Sequence, residues 1–167
     1  RFSAFLDAKT IDALAKSAPL HDIGKVGIPD HILLKPGKLT AEEWEIMKSH
    51  AELGSKAIEQ AVRDAEKPVE FLGIAMQIAH HHHEKWDGSG YPDGLAGEAI
   101  PIAARLMALA DVFDALISKR VYKAAFSFAE AQRIILEGKG QHFDPDVADA
   151  FMREFASFRT IAETYAE

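Results

Sequence analysis

Apolar residues return every three or four positions along nearly the whole of this chain, and sustained alternation of period two is almost absent. That pattern suits helices with one buried stripe and leaves no run that reads as a sheet, so the expected fold is an all-α bundle of many helices. Ile11, Leu14, Ala15 and Ala18 form the stripe of a first helix with Thr10 as its N-cap, and Pro19 starts a new turn before His21. Gly24 and Gly27 suit a helix exit and loop, and Leu34-Lys35-Pro36-Gly37-Lys38 has turn chemistry. Thr40-Ala41-Glu42-Glu43 is a capping box opening a helix that carries Trp44, Met47, His50, Ala51 and Gly54, with His50 in its middle. Pro68 begins a helix running through Phe71, Ile74, Ala75, Ile78 and Ala79 into four consecutive histidines, and Asp87 to Gly94 is a loop. Pro101 falls in the first turn of a helix whose stripe is Ala104, Met107, Ala108, Val112, Ala115 and Leu116. Ser127 to Glu130 is a second capping box, Asp144-Pro145 caps another helix, and a short terminal helix starts near Phe158.

At 167 residues the chain is long enough for one domain with a full core, and no linker or repeat divides it. No apolar run approaches the roughly 20 residues of a membrane span, and the first residues lack a secretory signal pattern. The absence of cysteine excludes disulfides and thiolate metal sites, which fits a reducing cytoplasm. A net charge of -7 argues against duplex nucleic acid as a partner. It leaves room for a small phosphate ester, because bound cations can reverse the field inside one pocket.

Against that background the oxygen and nitrogen ligands stand out. His21-Asp22 sets two of them side by side, with Lys25 three residues beyond Asp22. Taken alone the pair reads equally well as a satisfied polar pair at a helix end, and Lys25 as a surface charge. Together they can hold a cation and, beside it, an anionic group. His50 in isolation is an ordinary half-buried histidine. Of His80 to His83, adjacent positions diverge by about 100° on a helix, so all four cannot face one point. His82 and His83, next to the Gly-rich loop, are the candidate ligands, and His80 and His81 take outer or surface roles. Asp111 sits within an apolar stripe, where an unpaired carboxylate costs several kcal/mol. Its partner is a metal or, alternatively, Arg105 or a helix end that it caps. Asp114 lies one turn on and could steer a histidine, while His31 and His142 read as surface or structural residues. Arg120, Tyr122 and Lys123 follow as a basic helix end, able to complement the helix dipole or meet phosphates. Tyr91 in the loop could pack on a base or sugar.

These residues, in this order, resemble the HD-GYP family of bacterial phosphodiesterases, a branch of the HD superfamily of metal-dependent phosphohydrolases. The resemblance rests on His21-Asp22-Ile23-Gly24-Lys25-Val26-Gly27-Ile28-Pro29-Asp30, on Leu33 to Thr40, on His82-His83-Glu84-Lys85-Trp86-Asp87-Gly88-Ser89-Gly90-Tyr91-Pro92, on Ala110 to Leu116 and on His142 to Pro145. It implies a single HD-GYP domain over residues 1–167 with two or three divalent ions, iron or manganese, that opens cyclic di-GMP to pGpG and on to GMP. In that family Asp22 would bridge two ions, His21 and Asp111 would complete one side, and His50, His82 and His83 the other. Lys25, Arg120 and Lys123 would meet substrate phosphates, with Lys25 and Asp22 serving catalysis. The family also carries an earlier helix bearing a histidine ligand and, in three-metal members, a glutamate; the 20 residues before His21 contain no histidine. The resemblance implies an upstream sensor or receiver domain and contact with diguanylate cyclase (GGDEF) domains as well. A member that binds cyclic di-GMP or such a partner without turnover is the alternative reading.

Overall fold

A computed structural model describes residues 2–67, 69–118 and 125–165. Its longer helices are α1 (Ala8–Ser17), α2 (Asp30–Leu33), α3 (Ala41–Lys48), α4 (His50–Asp64), α5 (Glu70–His81), α6 (Ile102–Ile117), α7 (Phe128–Glu137), α8 (Pro145–Arg153) and α9 (Phe155–Thr164), with 3-10 turns at Ala18–Leu20, Ile23–Gly27 and Gly97–Ala99. Among the described residues there is no strand, only the isolated bridges Asp87 to Ala96 and Lys139 to Phe143. The all-α expectation therefore holds.

Both capping boxes form as the sequence predicts, at Thr40 with Glu43 and at Ser127 with Glu130, and Asp144 caps α8 ahead of Pro145. Other boundaries move. Asp7, not Thr10, is the N-cap of α1, because its carboxylate accepts the Thr10 backbone N–H at 2.7 Å and so satisfies a donor of the first turn. Pro101 is the N-cap of α6 rather than a first-turn residue, and α9 begins at Phe155. The expected helix start at Pro68 falls outside the described residues.

The larger difference is at Ser49, where the helix predicted to run from Ala41 past Gly54 breaks into α3 and α4. The Ser49 hydroxyl donates to the Ile46 carbonyl at 2.6 Å, a local bond that competes with continuing the helical ladder. His50 thus stands at the start of α4 instead of mid-helix.

Two apolar clusters hold the elements together. Leu109 and Phe113 of α6 pack against Ala131 and Ile135 of α7 and Val147, Ala148 and Phe151 of α8, with Phe113 edge-on to Phe151 at 5.3 Å. Burying each large side chain there contributes roughly 1.5–3 kcal/mol. The stripe on α6 is rotated from the predicted one: Ala104 and Ala108 are buried as expected, but Leu109 and Phe113 replace Met107, Val112 and Leu116 at the centre, and the latter are only partly covered. Arg105 is buried with them and pairs with Asp144, Nη1 to Oδ2 at 2.8 Å, while its Nε donates to the Ile100 carbonyl. That pairing takes Arg105 away from Asp111.

The second cluster, Ile58 with Ala75 and Ala79, joins α4 to α5. Here the small residues matter most. A Cβ on Gly54 would stand 3.1 Å from the backbone nitrogen of Gly24 and 3.5 Å from the Cβ of Ala79, and a Cβ on Gly24 would overlap the His50 carbonyl oxygen and the Gly54 backbone nitrogen. Two backbones meet at this point, with the Ala79 methyl beside them. Gly24→Ala should lower stability by about 3 kcal/mol or more, since backbone atoms on both sides leave no route for relaxation. Gly73→Ala, on an exposed turn of α5 with nothing within 4 Å of the added methyl, should instead raise it by about 0.5–1 kcal/mol. Denaturant unfolding of the two variants checks both signs.

Candidate metal centre

Asp22 lies where the Ile23–Gly27 turn, which it caps, the start of α4 and the end of α5 converge. Its Oδ1 is 3.5 Å from His50 Nε2 and 3.8 Å from His82 Nε2, and its Oδ2 is 3.4 Å from His21 Nε2 and 2.5 Å from Lys25 Nζ. His21 Nε2 also faces Asp111 Oδ1 of α6 at 3.6 Å, and His83 Nε2 lies 3.0 Å from His50 Nε2. One carboxylate thus looks both ways, toward His21 with Asp111 and toward His50 with His82 and His83.

Each ring is aimed by a helix end. His50 Nδ1 donates to the Met47 carbonyl at 2.7 Å, His82 Nδ1 to the Ile78 carbonyl at 3.0 Å, and His21 Nδ1 to the Ala18 carbonyl at 2.8 Å. These carbonyls lie in the last turns of their helices, and the ring N–H is a second donor to Ala18 and Ile78, whose carbonyls also accept the backbone N–H of His21 and His82. Holding the proton on Nδ1 leaves the Nε2 lone pairs of His50 and His82 directed at Asp22.

The protonation pattern follows from the same packing. Burial, with charge at His21, pushes His82 down to about 4, and burial with His82 and His50 alongside pushes His83 down to about 3, so both rings are neutral at physiological pH. Pairing with Asp111 and then Asp22 raises His21 to about 10. Burial works to raise Asp22 and Asp111, but hydrogen bonding from His21, joined at Asp22 by Lys25, holds both below the usual carboxylate range.

The donor set fits divalent cations. Asp22, His50, His82 and His83 each offer one atom, all within 4.8 Å of one another. Asp22 Oδ1 and His82 Nε2 are buried without a hydrogen-bond partner. A buried polar atom left unpaired costs about 1–3 kcal/mol, and a cation between these two would satisfy both.

The predicted residues therefore come together: His21, Asp22, Lys25, His50, His82, His83 and Asp111 share one site. Arg120, Tyr122 and Lys123 lie outside the described residues. Asp114 is exposed on α6, one turn past Asp111, where the helix has turned it toward the groove beside Phe113, so the expected role in steering a histidine is not met.

Tyr91 reaches the rim. Its ring stacks on His83 at 4.7 Å and meets Trp44 edge-on at 6.2 Å, with Lys48 Nζ 5.7 Å from the ring centre; burial, then the charges of Asp22 and Asp111, raises its hydroxyl pKa. The loop is seated by Glu84, a buried carboxylate that accepts the Asp93 N–H at 2.8 Å and the Leu95 N–H at 3.0 Å. Gly90 lets the chain lie directly on the preceding segment, where a Cβ would stand 2.5 Å from Glu84 Cα and 2.6 Å from the His83 carbonyl oxygen. Sequence reasoning passed over Glu84, Lys48 and Trp44. The available signal was a carboxylate fixed between candidate ligands and a Gly-rich loop.

Fold and cluster define an all-helical protein with a buried histidine and aspartate centre suited to divalent cations. The chain belongs to the HD domain family, whose model matches residues 5–147. It is 55% identical over 167 residues to a probable cyclic di-GMP phosphodiesterase of Vibrio cholerae, covering all of this chain and 38% of that protein. It is 49% identical over 137 residues to a cyclic di-GMP phosphodiesterase of Thermotoga maritima, covering 82% of this chain and 36% of that one. The chain thus spans well under half of these relatives' length. A cyclic GMP-AMP specific phosphodiesterase of Vibrio cholerae shares the fold, with a TM-score of 0.66 at 21% identity over 96% of this chain and 42% of that one.

Removing one donor from the cluster should release metal. His82→Ala and Asp22→Ala are each expected to weaken retention by more than about tenfold, since even outer partners of ligands are worth 10–100-fold. Elemental analysis of the purified variants, beside wild-type protein, reads this directly.

Proposed function

We propose that this chain hydrolyses cyclic di-GMP to pGpG, and onward to GMP, as a metal-dependent phosphodiesterase. The observation that carries the reading is the two-sided Asp22 carboxylate, with Oδ1 turned to His50 and His82 and Oδ2 to His21. Such a carboxylate is placed to be shared by two divalent ions, for which iron or manganese suits the mixed imidazole and carboxylate donors. His21 and Asp111 would hold one ion, and His50, His82 and His83 the other. Bound there, divalent ions supply Lewis-acid stabilisation of phosphoryl oxygens and a source of nucleophilic water.

The protein's own residues do the rest. Lys25, half exposed and held beside Asp22, presents a positive charge next to the cation centre, where a phosphodiester oxygen would sit. The Tyr91 face, with Trp44 and Lys48 around it, offers a flat apolar rim against which a guanine or ribose can pack. Arg120 and Lys123 are proposed to meet the substrate phosphates too. The names of the relatives support the substrate class, and their greater length leaves room for a sensor or receiver domain and for contact with GGDEF domains. A second-messenger substrate makes the cytoplasm the expected compartment, and among the described residues no helix is long and apolar enough to cross a membrane.

The test is turnover by the manganese- or iron-loaded protein, with products separated by chromatography. Cyclic di-GMP should give pGpG, faster than 3′3′-cGAMP is opened; a metal-replete protein that leaves cyclic di-GMP intact overturns the reading. Lys25→Ala should keep its metal and lose roughly 10–100-fold in kcat/KM, the worth of one charge-assisted contact.

A further inference from the structure

His80 and His81 take no part in the Asp22 centre. They stand on the last turn of α5 and face Asp93 of the Tyr91 loop: His80 Nε2 lies 3.0 Å and His81 Nδ1 3.6 Å from Asp93 Oδ2. The three donor atoms fall within 4.8 Å of one another, and the two rings meet at a centroid distance of 4.4 Å. A tetrahedral ion with bonds of about 2.0–2.1 Å holds its ligand atoms about 3.3 Å apart, so the two measured separations straddle that edge.

A plain hydrogen bond between His80 and Asp93 accounts for the first distance only. It leaves His81 Nδ1, which is buried and has no hydrogen-bond partner. The Glu84 carboxylate stands 4.0 Å from that nitrogen, and its oxygens already accept the Asp93 and Leu95 N–H groups. Carboxylates therefore stand beside an imidazole nitrogen without a hydrogen-bond partner, an arrangement that a cation completes.

We propose that His80, His81 and Asp93 form a second metal site, separate from the Asp22 centre, that takes Zn2+ with two nitrogen ligands, one oxygen ligand and a fourth position open to solvent. Zinc suits the set because imidazole and carboxylate are its ordinary ligands in three-ligand open sites. Asp93 is about half exposed and His80 partly so, which gives the ion a path in and out. Asp93 also lies two residues after Tyr91, whose ring stacks on His83. Zinc at this point ties the loop to the end of α5 and so couples an exchangeable ion to the rim of the Asp22 centre. The inference stands on its own geometry and does not depend on the substrate proposed above.

The test compares wild-type protein with a His80→Gln/Asp93→Asn double variant, two partly exposed positions whose replacement should leave thermal unfolding in chelator unchanged. Both proteins are dialysed against buffered Zn2+ in the micromolar range, and zinc per chain is measured. Any zinc entering the Asp22 centre is common to both, so wild type should hold one equivalent more, and zinc should raise its Tm by several degrees further than it raises the variant's. A shift of the His81 ring nitrogen resonances on zinc addition, absent from the variant, assigns the ligand. Equal zinc content in the two proteins, or an additional equivalent that persists in the variant, overturns the proposal.

Discussion

Gly54 of α4 rests on the backbone of Gly24, with the Ala79 methyl of α5 also close by, and the relative positions of Asp22, His50 and His82 follow from that contact. His50 lies one turn before Gly54, His82 three residues after Ala79, and Asp22 two before Gly24. Backbone-to-backbone approach is a short and stiff spacer, because no rotamer can absorb a change in it. A side chain at either glycine would part α4 from the Ile23–Gly27 turn and separate Asp22 Oδ1 from the two Nε2 atoms it faces. The larger aromatic cluster around Phe113 and Phe151 stabilises the fold, but it sets the place of only one ligand, Asp111, through α6.

The histidines of this centre come from helix ends more than from helix faces. Ala18–Leu20, α3 and α5 each terminate at the centre, and their last-turn carbonyls accept the Nδ1–H of His21, His50 and His82. The bond fixes each imidazole in the tautomer that offers Nε2. The negative ends of these helices also point inward, a field that favours cations. The break at Ser49 is part of this design, since an unbroken helix would have used the Met47 carbonyl within its own ladder.

This explains what could be read from the residues and what could not. Helix class, the two capping boxes and the histidines and aspartates that converge on one site were legible, because periodicity, cap chemistry and donor type are local properties. His50 was misplaced in mid-helix because apolar periodicity continues smoothly through Ser49 and carries no mark of a break. The register of α6 was misjudged for a related reason: Met107, Val112 and Leu116 are as apolar as Leu109 and Phe113, and only the neighbours decide which face turns inward. Arg105 went to Asp144, and Asp111 to His21, through contacts between residues far apart in sequence. Glu84 escaped notice because its partners are backbone N–H groups of a loop, which no side-chain pattern announces.

The electrostatics also order the events at the site. A chain of net charge -7 gathers Asp22, Asp111 and three helix C-termini at one point, and His21 with Lys25 offsets only part of that negative field. An anionic phosphodiester approaching it without cations would meet repulsion in a half-buried setting, where screening by salt is weak. On the function proposed above, divalent ions would bind before the anion. Lys25 fits that sequence, since its ammonium pairs with Asp22 Oδ2 while Oδ1 remains unpaired. On the proposed function, cations held by the Asp22 oxygens would free the Lys25 ammonium to turn to a phosphate, so that a single side chain would serve the centre without metal and the substrate with it.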